Sequence, residues 1–136
     1  MQMIIAIDFD GTIVDHTYPT VGKPVPNAIE WMKKFQDAGA RLILLTMRSD
    51  EYLEEAVKYL KDNGIDNLYG INENPDQHTW TNSRKVYANL YIDDAAQGCP
   101  LIQYISFNRL CVDWNEFGDE VLAKIGTEYR PKTKTP

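Results

Sequence analysis

The sequence predicts an α/β domain, a parallel sheet flanked by helices. Three observations point there. The chain opens on a short apolar run, Ile4, Ile5, Ala6 and Ile7, which reads as a buried strand starting near Met3. Strand-like and helix-like segments then alternate, the order that gives parallel strands with helices on both faces. Three of the strand-like segments also end in polar groups: Asp8 and Asp10, Thr46, and Asp93 with Asp94. Parallel strands point the same way, so these ends share one edge of the sheet, the edge at which open α/β sheets bind ligands.

Each element has a local reason. Gly11 and Thr12 begin a turn, and residues 15–26, with three prolines and one glycine, read as a loop. From about Asn27, Ala28, Trp31, Met32, Phe35 and Ala38 recur at helical spacing until Gly39 stops the helix. Arg41 to Thr46 is the second buried strand. Ser49 or Asp50 can cap the helix that follows, in which Leu53, Ala56, Val57 and Leu60 line one face and Glu54 faces Lys58 one turn on. Asn63-Gly64 ends it. Asn67 to Ile71 is expected as a third strand, residues 72–82 as a polar loop, and Arg84 to Ala88 as a short helix. Leu90, Tyr91 and Ile92 form a strand running into Asp93-Asp94. A further strand is expected over Leu101 to Ile105. Asp113 and Glu116 have the spacing of a capping box for a last helix, whose apolar face is Trp114, Phe117, Val121 and Ile125. Residues 1–125 make the expected core and residues 126–136 a loose, solubilising tail with Arg130, Lys132 and Lys134.

Composition bounds the function. At 136 residues, 43% hydrophobic and 25% charged, the chain can build the core of one soluble globular domain. A net charge of −6 argues against a nonspecific nucleic-acid binder, although a small basic patch would be compatible with it. The apolar runs are too short to span a bilayer, and no basic segment precedes a long apolar stretch near the N-terminus. Two cysteines, Cys99 and Cys111, read as reduced thiols rather than a disulfide framework. Together these predict a cytoplasmic protein.

Asp8 and Asp10 close a buried strand, where carboxylates are costly unless something neutralises them. DFDGTIV, then LLT, then a lysine, then YIDD, in that order, resembles the four motifs of the haloacid dehalogenase (HAD) superfamily of phosphohydrolases. The match covers about two thirds of the chain, from the first strand through Asp94, and HTYPTVGKPVPNAIEWMKKF and SRKVYANLYIDD are similar to stretches of its small, capless bacterial members. The resemblance implies a Rossmann-like core and a Mg²⁺-dependent phosphomonoesterase acting on a phosphorylated substrate. Asp8 is then the nucleophile that forms an aspartyl-phosphate. Asp10 is the acid and base for the leaving oxygen and the attacking water. Thr46 would bind the transferring phosphoryl group, and Lys85 would neutralise it and Asp8. Mg²⁺ would be held by Asp8, the backbone carbonyl of Asp10, and Asp93, with Asp94 behind them holding water or Lys85.

Asp10 favours phosphoryl over carbon–halogen chemistry, since dehalogenation needs no second acid. The 36 residues from Asp10 to Thr46 and the 39 from Thr46 to Lys85 leave no room for a cap domain. An open site favours a large substrate or a homo-oligomer whose neighbour covers it. The loop from Asp15 to Pro26 is a candidate partial lid, stiffened by its prolines and flexible at Gly22. Gly11, His16 and Arg48 are candidate substrate contacts. Arg48 would meet a second phosphate or a nucleotide if it is not an ordinary surface ion pair, and His16 and Tyr18 would touch the leaving group. Trp80 could stack on a base or plug a loop, whereas Trp31 and Trp114 fall on core faces.

Three other readings compete. Thr46-Met47-Arg48 resembles a T-x-R sequence of polynucleotide phosphatases, which would make the substrate a nucleotide or a nucleic-acid end. A catalytically silent phospho-ligand binding module would keep the same fold. A phospho-acceptor receiver domain uses similar residue types, but its acid pair follows the first strand and its lysine comes last. Here Asp93-Asp94 follows Lys85, the opposite order.

Overall fold

Four short strands, β1 (Ile4–Ile7), β2 (Arg41–Leu44), β3 (Gly70–Ile71) and β4 (Leu90–Ile92), form one parallel sheet in the order β3-β2-β1-β4. The computed structural model describes residues 2–126 and 134–136. β1 lies at the centre, pairing Ile7 with Leu44 on one side and with Ile92 on the other. Side chains alternate across each strand. Ile5, Ile7, Leu42 and Leu44 enter the main core, together with Trp31, Met32 and Phe35 of α1 (Ala28–Asp37), Ala56 and Leu60 of α2 (Asp50–Asp62), and Trp114 and Val121 of α3 (Trp114–Gly126). The other face, through Ala6 and Ile43, meets Ala88, with Val86 and Tyr69 beside it.

The helices therefore gather on one face. The expected helix over Arg84–Ala88 does not form, and its segment covers the second face as irregular chain. Its backbone groups are satisfied from elsewhere, which removes the need for helical bonds. Gln77 donates to the Lys85 carbonyl and accepts from the Tyr87 amide, Asn74 donates to the Tyr87 carbonyl, and the Tyr91 hydroxyl accepts from the Ala88 amide. Within the loop expected over 72–82, residues 77–79 make one 3₁₀ turn.

Other differences are local. β3 is confined to Gly70–Ile71 rather than starting at Asn67. The strand expected over Leu101–Ile105 shortens to β5 (Leu101–Ile102), which pairs antiparallel with β6 (Cys111–Val112) in a separate ribbon. Ser49 sits at the N-cap of α2 without a side-chain cap bond, and Lys58 pairs with Asp62 at 2.5 Å, not with Glu54. Helix α3 runs to Gly126, the first residue of the expected tail, and residues 127–133, with Arg130 and Lys132, lie outside the described residues. Cys99 and Cys111 are both free.

Residues 13–25 fold back as a flap. The Val25 amide donates to the Ile13 carbonyl at 2.9 Å and the Asp15 amide to the Lys23 carbonyl at 2.8 Å. Gly22 has a packing role: a Cβ there would collide with the Asp15 carbonyl, so glycine lets the two limbs of the flap approach.

Candidate functional site

The register of the sheet builds the site. Ile7 pairs with Ile92, so the next residues outward, Asp8 and Asp93, emerge side by side, and the Asp8 amide donates to the Ile92 carbonyl at 3.0 Å. Thr46 leaves the neighbouring strand β2. Its amide donates to Asn72 Oδ1 at 2.7 Å, and its hydroxyl accepts from the Arg48 amide at 3.1 Å. Asp8, Asp10, Thr46, Asp93 and Asp94 line one cleft of about 590 Å³, together with His16, Tyr18, Met47, Arg48, Ala95 and Arg109.

Three carboxylates cluster there: oxygen atoms of Asp8, Asp93 and Asp94 lie within 4.8 Å of one another. Burial pushes the Asp8 carboxyl up to about 8, helped by the charge of Asp93 and by Asp94 and opposed by the Thr12 hydroxyl. Burial also raises Asp93, against the Ala95 amide, which donates to its Oδ1 at 2.9 Å. Buried Thr12 joins the cluster, donating from Oγ1 to Asp8 Oδ2 at 2.9 Å and accepting the Asp94 amide at 3.2 Å. Trp114 Nε1 donates to the Thr12 carbonyl at 2.7 Å, which ties α3 to the site.

Gly11 makes room for the cluster. Its φ is +84°, and a Cβ would collide with the Asp94 carboxylate. The expectation that Gly11 contacts substrate finds no free backbone group, because its amide donates to Val14 at 2.7 Å and its carbonyl accepts Val112 at 3.0 Å.

Asp10 is not part of the carboxylate cluster. Its two oxygens accept from Arg48, Nε to Oδ2 at 2.7 Å and Nη2 to Oδ1 at 2.8 Å. Arg48 is only 2% exposed. Its other donors reach the carbonyls of Pro19 (3.0 Å) and Thr20 (2.8 Å) on the flap and Tyr52 (3.3 Å) on α2. These contacts use the whole guanidinium, so Arg48 is neither a surface ion pair nor a free ligand for a second phosphate. Sequence position could not reveal this, because Asp10 and Arg48 meet only when β1 and β2 are adjacent.

Lys85 is not brought to the carboxylates. Its Nζ lies over the Tyr91 ring, 5.7 Å from the centroid, in a different cavity with Trp80 and Tyr87. The cause is the irregular 84–88 segment, which lies against the sheet face rather than rising from its edge. Trp80 is no plug: it is exposed and meets Tyr87 edge-on, with centroids 5.6 Å apart.

Three residues of the site were not singled out from the sequence. Thr12 had a signal, a hydroxyl two places after Asp10. Buried Asp15 and exposed Arg109 had none. Asp15 accepts the His16 amide at 2.7 Å and the Asn108 amide at 2.9 Å, which joins the flap to the loop carrying Arg109.

No protein-family model matches the chain, and no curated protein matches it. Among solved structures it is similar to a conserved protein from Bacteroides thetaiotaomicron, with 36% identity and a TM-score of 0.74, over 91% of this chain and 93% of that one. The chain therefore belongs to the same family as this conserved Bacteroides protein.

Proposed function

We propose that the chain is a phosphomonoesterase of the HAD type, working through an aspartyl-phosphate on Asp8 and requiring Mg²⁺. One observation carries this reading. Asp8 follows strand β1 directly into a cleft, beside two further carboxylates, Asp93 and Asp94. An oxygen-only donor set of this kind suits a hard divalent cation, so Asp8, Asp93 and Asp94 fit Mg²⁺ as ligands, with Asp94 added to the expected set. When bound, the ion supplies positive charge to the cluster and to phosphoryl oxygens.

The chain's own groups have the following parts. Thr12 orients the Asp8 carboxylate, which attacks phosphorus as the ester oxygen departs. Asp10 gives that oxygen a proton and later takes one from the attacking water. For this, one of the two Arg48 bonds to Asp10 must open. Thr46 faces the cleft with its hydroxyl proton free to meet a phosphoryl oxygen, since its oxygen already accepts from Arg48. In place of a separate cap, the flap over 13–25 and the loop between β5 and β6 wall the cleft, and a second copy of the chain could add further cover.

Two observations favour a second reading, a phospho-ligand binding module without turnover: Lys85 lies apart, and both Asp10 oxygens are engaged. The nucleotide reading loses its main support, because Arg48 is consumed inside the protein. The test is phosphate release from a panel of sugar phosphates, nucleotides and oligonucleotide ends, with and without Mg²⁺, for the parent and for Asp8→Asn. Mg²⁺-dependent release that Asp8→Asn abolishes is expected. Binding without release would select the second reading.

A further inference from the structure

The buried carboxylate of Asp15 has no part in the chemistry above. It is 3% exposed, which costs free energy unless its bonds repay it. Those bonds go to two main-chain amides, His16 and Asn108, at 2.7 and 2.9 Å. Each amide lies at or beside a residue whose side chain lines the cleft, His16 on the flap and Arg109 on the β5–β6 loop. A second tie, from Lys23 Nζ to the Ser106 carbonyl at 3.3 Å, joins the same two loops, and Gln103 closes the second loop on itself through the Tyr104 and Phe107 carbonyls. The two walls are thus fixed to each other from behind. Arg109 forms no ion pair among the described residues. It is a cation held at the rim of a cleft whose other uncompensated charges are negative.

We propose that His16 and Arg109 form an anion subsite at the mouth of the cleft, with Asp15 as its positioning residue, and that the site selects phosphomonoesters whose leaving group carries a second anionic group. This rests on the phosphatase reading. His16 and Arg109 line the same cleft as the carboxylate cluster, so with the reacting phosphoryl group at Asp8 the imidazole N–H and the guanidinium are left for the leaving group. A guanidinium matches a carboxylate or a phosphate by its fork of donors, so the shared chemistry is a planar or tetrahedral oxyanion.

The probes are two phosphonates that cannot be hydrolysed, benzylphosphonate and 4-carboxybenzylphosphonate, with binding measured in Mg²⁺ by calorimetry. The carboxylated probe should bind about twofold to fivefold more tightly, as for an ion pair at a partly open site, and the ratio should shrink as salt is raised. Arg109→Ala, at an exposed position, should bring the ratio close to one, and Asp15→Asn should lower it even though Asp15 never reaches the probe. Equal binding of the two probes to the parent, alongside hydrolysis of phenyl phosphate, overturns the subsite and leaves the phosphatase reading standing. A preference that survives Arg109→Ala also overturns it. If neither probe binds and phenyl phosphate is not hydrolysed, the phosphatase reading falls and the subsite falls with it.

Discussion

Replacing Asp8 by asparagine should stabilise the metal-free protein, and the gain should grow with pH. The Asp8 carboxyl moves from 3.8 to about 8 on folding, through burial first and then through Asp93 and Asp94. An acid whose folded pKa lies above its unfolded value holds its proton more tightly when folded. Stability is therefore greatest below the unfolded value and is lost as pH rises toward the folded one. A span of about 4 units at about 1.4 kcal/mol each sets a ceiling of about 6 kcal/mol. The cleft is open to water and Asp93 and Asp94 share the charge, so roughly 3 kcal/mol is the working expectation. Asparagine keeps an oxygen for the Thr12 hydroxyl and carries no charge, so Asp8→Asn removes the loss without removing the bond. The assay is urea unfolding of parent and variant in a chelator, from about pH 5 to about pH 8, read as the difference between the two so that titrating groups remote from Asp8 cancel and only Asp8 with its coupled neighbours Asp93 and Asp94 contributes. A difference that stays flat over that range would refute the reasoning.

Mg²⁺ should raise the melting temperature of the parent, by the equivalent of roughly 2.7 kcal/mol at a hundredfold excess over its Kd, and Asp93→Ala should remove that response. A variant that responds as the parent does would place the metal elsewhere. Gly11→Ala should destabilise by about 2 kcal/mol or more, since it strains a left-handed residue and drives a methyl into Asp94; denaturant midpoints check this. Arg48→Ala should cost about 3–5 kcal/mol, because it leaves Asp10 and three carbonyls without their partner. It should also open residues 15–23 to proteolysis, and a flap as resistant as the parent's would contradict the role of Arg48 as its anchor.

Part of this protein could be read directly from residue order. The apolar runs at Ile4–Ile7, Arg41–Leu44 and Leu90–Ile92 determine three strands, and the helical spacing of Trp31, Met32 and Phe35, and of Ala56 and Leu60, determines which faces are buried. Those signals are local, because strand and helix periods repeat within a few residues. The same locality placed Asp8, Thr46 and Asp93 at strand ends that share an edge.

What depended on distant partners could not be read this way. Arg84–Ala88 has a composition that allows a helix, yet Gln77, Asn74 and Tyr91 satisfy its backbone, so it stays irregular and carries Lys85 away from the cleft. Asp8 and Asp10 are two residues apart in an extended stretch, which suggested a common task. Folding sends one to Asp93 and Asp94 and the other to Arg48, 38 residues along the chain. Asp15 and Asn108 are 93 residues apart, and their bond sets the far wall of the site. The sequence by itself determined the strands, the buried helix faces and the acidic edge, because each follows from neighbours along the chain. Only the tertiary structure decided which charge neutralises which, because a buried ion pair or hydrogen bond depends on groups that approach through space.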